Sequence, residues 1–346
     1  MPADVGTVRA LVLQGGGALG AFELGVARVL YGERAYRPDL IAGVSIGAIT
    51  AVLLARPRSG DSLATLEAFW REVTVAAPWL PRPLAAYASV FGNPHFFVPR
   101  TDLWTLPRWT NLYDVAPLRA TLAGLVDEAA LADPVASPGL LLTATDVAQG
   151  EITPFYSGDG GLTLDHVLAS GSLPPSFPAT RIADRVYWDG GMFDNTPLGA
   201  VLDHLDPSED RLPDREIVVV DLFPNAGPIP ANMAEVSQRA LNLIFANKTA
   251  SDLRLLERFN AIAGLLGQIR GDPRWADLAA SDAFKAADRG YIQVPTIVTV
   301  ERREPADAAS SGDFSAATIA ARAIEGEQAT RRALRALSRA GPQPTP

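Results

Sequence analysis

The stretch Ile41-Ala42-Gly43-Val44-Ser45-Ile46-Gly47-Ala48-Ile49-Thr50 decides the fold. A short apolar run, Asp39 to Val44, leads into it and reads as a buried strand. A second apolar run, Ile46 to Ala55, leads out of it and reads as a helix. Gly43, Ser45 and Gly47 lie at the junction in a G-x-S-x-G arrangement. A tight strand-to-helix turn of this kind exposes a serine hydroxyl beyond the end of a sheet. It also places that hydroxyl at a helix N-terminus, where free N–H groups and the helix dipole favour developing negative charge. Taken alone, the pattern equally describes a small-residue turn that packs a helix on a strand.

Upstream, Val8 to Gln14 is another apolar run; Gly15-Gly16-Gly17 follows it, and Ala18 to Leu30 then repeats apolar residues at helical spacing. Strand, turn, helix, strand, turn, helix is a βαβα opening, which predicts an α/β protein with a parallel sheet covered by helices. The run Gly15 to Gly20 could cradle a phosphate, since glycine turns ahead of helices do so. It lacks the Gly-Lys-Ser/Thr ending of a P-loop and departs from G-x-G-x-x-G by an extra central glycine. A dinucleotide unit also expects an acidic residue at the end of its second strand. Here Asp39 begins that strand and the Ser45 turn ends it, so Gly15, Gly16 and Gly17 read as amide donors for an oxyanion.

A serine nucleophile needs a base, and this chain has three histidines. His95 lies in a proline-rich aromatic stretch, His166 in LDHVLAS and His204 in AVLDHLDP. A Ser-acid-His hydrolase would have several strands before the serine and a late histidine. Ser45 follows a single βα unit, and no histidine follows His204. Asp189 is better placed: it ends a strand-like run, Arg181 to Trp188, and Gly190-Gly191 let the backbone turn sharply behind it.

Composition narrows the remaining classes. With 346 residues, 48% hydrophobic and 20% charged, the chain can bury a full globular core. A net charge of −9, from 30 basic and 39 acidic residues, makes a poor partner for nucleic acid and for an anionic membrane face. Lipid contact is therefore expected to be apolar, local and transient, at a membrane or micelle surface. The absence of cysteine removes disulfides, thiol catalysis and cysteine-ligated metals. No apolar run approaches the ~18 residues of a membrane span, and the N-terminus lacks the basic flank and long apolar segment of a secretory signal. A cytoplasmic location is the expectation.

Elsewhere, Asp61 to Val73 reads as an amphipathic helix and 114–131 as a further helix, while 140–146 and 151–156 read as paired strands. The stretch 76–110, rich in proline and aromatics, suits an acyl-pocket wall, an interfacial lid or buried core. Glu216 to Phe223 is the clearest buried strand; 231–269 reads as mostly helical, 292–300 as a strand and 314–338 as a helix. No repeat or linker divides the chain.

Together, Gly15-Gly16-Gly17-Ala18-Leu19-Gly20, Gly43-Val44-Ser45-Ile46-Gly47 and Asp189-Gly190-Gly191 resemble the patatin-like phospholipase family. LEAFWREV and ASGSLPPSFPA look like its bacterial members, and the likeness is dense over about residues 8–200. The resemblance implies a three-layer α/β/α fold with a mainly parallel sheet and a Ser–Asp dyad: Ser45 the nucleophile and Asp189 its base. It further implies an oxyanion hole from Gly15, Gly16 and Gly17, with the Ile46 N–H as a further donor, and no metal or organic cofactor. It sets a catalytic core at 8–205, a C-terminal extension packed on the same unit at 206–340 and a tail at 341–346. Leu19 stands where many members carry a basic residue, which leaves less local positive charge. The implied activity is lipid acyl hydrolysis. The rival readings are a carboxylesterase for short soluble esters, a nucleotide-binding module using the Gly15 to Gly20 loop, and an inactive scaffold.

Overall fold

The computed structural model describes residues 7–75, 91–205, 215–223, 226–289, 294–303 and 311–340. Within them, β1 (Val8–Leu13) pairs in parallel with β2 (Leu40–Gly43) on one side and β9 (Arg215–Asp221) on the other. Strands of this kind are buried on both faces, and the alternation is visible in the packing. Leu11, Leu13, Val218 and Val220 join one core cluster with Phe22, Ile49, Phe69 and Trp70. Ala10, Val12, Ile217 and Val219 join the other, with Leu198, Val201 and Leu256. Helices therefore cover both faces. On the first lie α1 (Ala21–Ala27), α2 (Ile46–Ala55), α3 (Ser62–Val73) and the C-terminal helix Ala316–Ala340; on the second lies the helix Leu198–His204, while the long helix Met233–Gly271 contributes Ala246 to the first cluster and Leu256 to the second.

The sheet is mixed and mainly parallel. A two-residue hairpin, β3 (Val98–Pro99) with β4 (Tyr113–Asp114), stands apart from it. Next to β2 lies β5 (Gly139–Asp146), also parallel, and β9 carries β10 (Thr296–Glu301) in parallel on its far side. Antiparallel strands complete the other end: β6 (Glu151–Tyr156) and β8 (Arg185–Asp189) both pair with β5, and β7 (Thr180–Ile182) pairs with β8. The order is β10-β9-β1-β2-β5-β8-β7.

Three sequence expectations need correction. The run 181–188 is a hairpin, because the chain turns at Ala183 with φ +53°, and β7 folds back on β8. The run 114–131 is two helices, Ala116–Leu125 and Glu128–Ala132; Asp127 starts the second by accepting from Ala129 N and Ala130 N at 3.1 Å each. The run 18–30 opens as a 3-10 turn at Gly17–Gly20 and closes as a π-turn at Arg28–Glu33, with α1 between them.

One crossing fixes the C-terminal helix on the first layer. A Cβ on Gly25 would stand 1.9 Å from Ala323 O, and one on Gly326 would stand 2.0 Å from Phe22 O. Each glycine lies against the backbone of the opposite helix, closer than a side chain would permit. Of the aromatic stretch 76–110, residues 76–90 lie outside the described residues, as does the tail 341–346. In the described remainder Phe96 and Phe97 are buried with Trp70, Phe177 and Phe314 in one aromatic cluster, while Phe91 and Trp104 are exposed.

Candidate active site

Register brings the three turns together. In β5, Leu142 lies opposite Gly43 of β2, and Ala144 lies opposite Asp189 of β8. Both neighbours thus deliver their turns to the same end of the sheet, where β1 also releases the Gly15 loop. Ligand sites form at this end of α/β sheets.

Ser45 occupies φ +56°, ψ −121° between β2 and α2. Such a backbone costs a non-glycine residue on the order of 1–3 kcal/mol and persists only where its surroundings hold it. The flanking glycines are required by space: a Cβ on Gly43 would lie 2.3 Å from Gly47 O, and one on Gly47 would lie 2.4 Å from Leu13 O. The Ser45 N–H donates to Ser170 Oγ at 2.9 Å, and that hydroxyl donates onward to Thr143 O at 2.7 Å.

Asp189 is 3% exposed at the end of β8. Its backbone is held on both sides, with Asp189 N donating to Ser172 O at 3.0 Å and Thr145 Oγ1 donating to Asp189 O at 2.9 Å. One carboxylate oxygen accepts from Gly191 N at 2.7 Å, and the Ser45 side chain lies near enough to the same carboxylate to lower its pKa. Burial pushes this carboxyl up to about 6, while the nearby Ser45 side chain and the Gly191 N–H restrain the shift by favouring the anion. At neutral pH it is mostly ionised and beside a hydroxyl it could deprotonate. Gly190 admits the close approach, since a Cβ there would lie 2.6 Å from Thr143 O.

The glycine loop lies against this pair: a Cβ on Gly15 would stand 3.1 Å from Ser45 Cβ. Its first amide is already engaged, because Gly15 N donates to Asn195 O at 3.2 Å. That commitment removes Gly15 from the expected set of oxyanion donors. The amides of Gly16 and Gly17 carry no hydrogen bond to a described residue, and neither does that of Ile46 in the first turn of α2, as helix N-termini require. Ala18 N, next along, donates to Ser311 O at 2.8 Å. Leu19 is 0% exposed and belongs to the core, so the loop presents no cation.

No histidine is hydrogen-bonded to Ser45 or Asp189 among the described residues. His166 closes the capping box of the helix Leu164–Ser170, His204 packs on Tyr156 with ring centroids 3.9 Å apart, and His95 is exposed. Among the described residues no group of three or more His, Asp or Glu could hold a metal ion, and no helix is long and apolar enough to cross a membrane. Beside the base turn, Met192 and Phe193 are 44% and 54% exposed. Sequence reasoning passed over Ser170 and Asn195. Their signal is faint: each is a small polar residue in a loop-rich stretch near a motif, meeting a partner far away in the chain.

The patatin-like phospholipase family model matches residues 11–202. An uncharacterized membrane protein of Mycobacterium tuberculosis, Rv3479, is 24% identical over 245 residues, which is 57% of this chain and 22% of that protein. The chain thus spans about a fifth of that relative's length. Among solved structures, VipD from Legionella pneumophila is similar with a TM-score of 0.42 and 15% identity, covering 95% of this chain and 67% of that one. ExoU with SpcU, from the type III secretion system of Pseudomonas aeruginosa, is similar with a TM-score of 0.32 and 18% identity, covering 98% and 68%. With more than half of its length matched by the family model, and with its mixed, mainly parallel sheet, this chain belongs to the patatin-like phospholipase family.

Proposed function

We propose that the protein is a lipid acyl hydrolase that cleaves carboxylic esters through Ser45 and Asp189. The single observation that carries this reading is the placement of the Ser45 side chain beside the buried Asp189 carboxylate, near enough to favour its ionised form, at a backbone turn of positive φ. Ser45 Oγ attacks the acyl carbonyl as Asp189 takes its proton. The carbonyl oxygen becomes an oxyanion held by the amides of Gly16 and Gly17, with Ile46 N–H as a further donor. The tetrahedral species collapses, the C–O bond to the alcohol breaks, and Asp189 returns its proton to the leaving oxygen. Water then attacks the acyl-enzyme with Asp189 again as base, which releases the fatty acid and restores Ser45. An aspartate is a weaker base than imidazole at an ordinary pKa, and its rise to about 6 brings it nearer the optimum for proton transfer at neutral pH.

A lipid substrate is favoured over a short soluble ester by the exposed Met192 and Phe193 beside the base turn. Apolar side chains bordering a site suit contact with an acyl chain or an interface. The test compares esters of increasing chain length, below and above the micellar transition, while free fatty acid is measured. Lipid hydrolysis requires higher turnover on long chains and a rate increase when substrate aggregates. Highest turnover on short monomeric esters, with no such increase, establishes the carboxylesterase alternative instead.

A further inference from the structure

Asn195 stands where two of the three turns meet. It is 5% exposed; its Nδ2 donates to Gly15 O at 3.1 Å, and its backbone carbonyl accepts from Gly15 N at 3.2 Å. One residue therefore holds Gly15 by both of its polar groups. A Cβ on Gly15 would lie 2.5 Å from Asn195 Oδ1, and a Cβ on Gly191 would lie 2.6 Å from the same oxygen. The amide thus fills the space between the oxyanion loop and the base turn, and each glycine leaves room for it. The neighbouring residues extend the link: Gln14 Nε2 donates to Thr196 Oγ1 at 2.9 Å and to Thr249 Oγ1 at 3.1 Å, while Gln14 Oε1 accepts from Leu222 N at 2.5 Å.

We propose that Asn195 is a positioning residue that sets the oxyanion loop against the base turn, so that the amides of Gly16 and Gly17 and the carboxylate of Asp189 converge on Ser45. The proposal rests on the reading of Ser45 as the nucleophile. Asn195 acts through Gly15, whose own amide it occupies, and leaves the next two amides to face the reacting oxygen. Its amide has the two properties the position needs, a donor for Gly15 O and a short neutral shape that fits against Gly191. Aspartate keeps the shape but turns an acceptor toward Gly15 O, and its charge beside Asp189 would raise that carboxyl further. Alanine removes both the donor and the filler.

The experiment uses the full chain as wild type, Asn195→Ala, Asn195→Asp and Ser45→Ala. Steady-state hydrolysis of a p-nitrophenyl ester is followed from pH 5 to 9, with active sites counted by end-point fluorophosphonate labelling and folding checked by circular dichroism. Asn195→Ala is expected to lose about 10²-fold in kcat per labelled site, the order of penalty for a misplacement near 1 Å, with KM changed less than about threefold. Asn195→Asp is expected to lose at least as much and to shift the acid limb of its pH profile upward. If Asn195→Ala does not fold, the isosteric Asp variant decides. A folded variant that keeps kcat per site within about threefold of wild type, with an unmoved pH profile, overturns the proposal and leaves the hydrolase reading standing. A wild-type protein that neither hydrolyses the ester nor labels overturns both.

Discussion

Asp189 and Glu23 are both buried carboxyls, at 3% and 1% exposure, but the molecule treats them differently. Asp189 sits where three turns converge, accepts a hydrogen bond from Gly191 N and has the Ser45 side chain beside it, so burial raises it only to about 6. Glu23 sits inside α1 with neither carboxyl oxygen hydrogen-bonded to a described residue, and burial raises it to about 8. Depth alone thus does not make a base. Directed donors keep Asp189 largely ionised at neutral pH, whereas the apolar setting of Glu23 keeps it protonated.

The largest expected effect comes from removing the groups that distinguish Asp189. Ser45→Ala and Asp189→Asn should each lower ester hydrolysis by about 10³-fold or more while circular dichroism stays unchanged. A folded Asp189→Asn variant of near-normal activity would erase the contrast with Glu23. The pH profile sharpens the same contrast. A base must be deprotonated, so kcat/KM should fall as pH drops through about 6 and level off above it. No such limb should follow from replacing Glu23.

Glu23 should appear in stability instead. Its folded pKa of about 8 lies above its ordinary 4.5, so its contribution is fully present below pH 4.5 and is lost as pH rises toward 8. Urea unfolding should show Glu23→Gln flattening that decline, by on the order of 1 kcal/mol per pH unit. Gly25→Ala, which sets a Cβ 1.9 Å from Ala323 O, should cost about 1–3 kcal/mol of stability. It should leave kcat per folded molecule unchanged. The smallest effect is expected from replacing His95, His166 and His204 together, which should spare activity. A folded but inactive triple variant would place a histidine in the reaction.

What the sequence could disclose follows from how far apart the interacting residues lie. β1, the Ser45 turn and the Asp189-Gly190-Gly191 turn are local patterns of apolar runs and glycines, and each is readable where it stands. The unbroken apolar run Ile217 to Val220 likewise identifies a strand buried on both faces. The pairing of Ser170 with Ser45 spans 125 positions and that of Asn195 with Gly15 spans 180, and a short polar residue does not advertise such a partner. Engagement of the Gly15 amide depends on that same distant carbonyl, so the donor set could not be narrowed from the glycines themselves. The β7–β8 hairpin escaped notice because its turn places an alanine, Ala183, at positive φ, where glycine or asparagine is the usual signal. The break near Asp127 was disguised by good helix formers on both sides of it.

The pairing of Ser45 with Asp189 is tested most directly by the rate and site of fluorophosphonate modification, read by intact-protein and peptide mass spectrometry. The expected result is one adduct, on the peptide containing Ser45. It should be absent in Ser45→Ala, slowed by about 10²-fold or more in Asp189→Asn, and slowed in wild type as pH falls below about 6. An adduct that persists in Ser45→Ala, or an unchanged rate in folded Asp189→Asn, would contradict it.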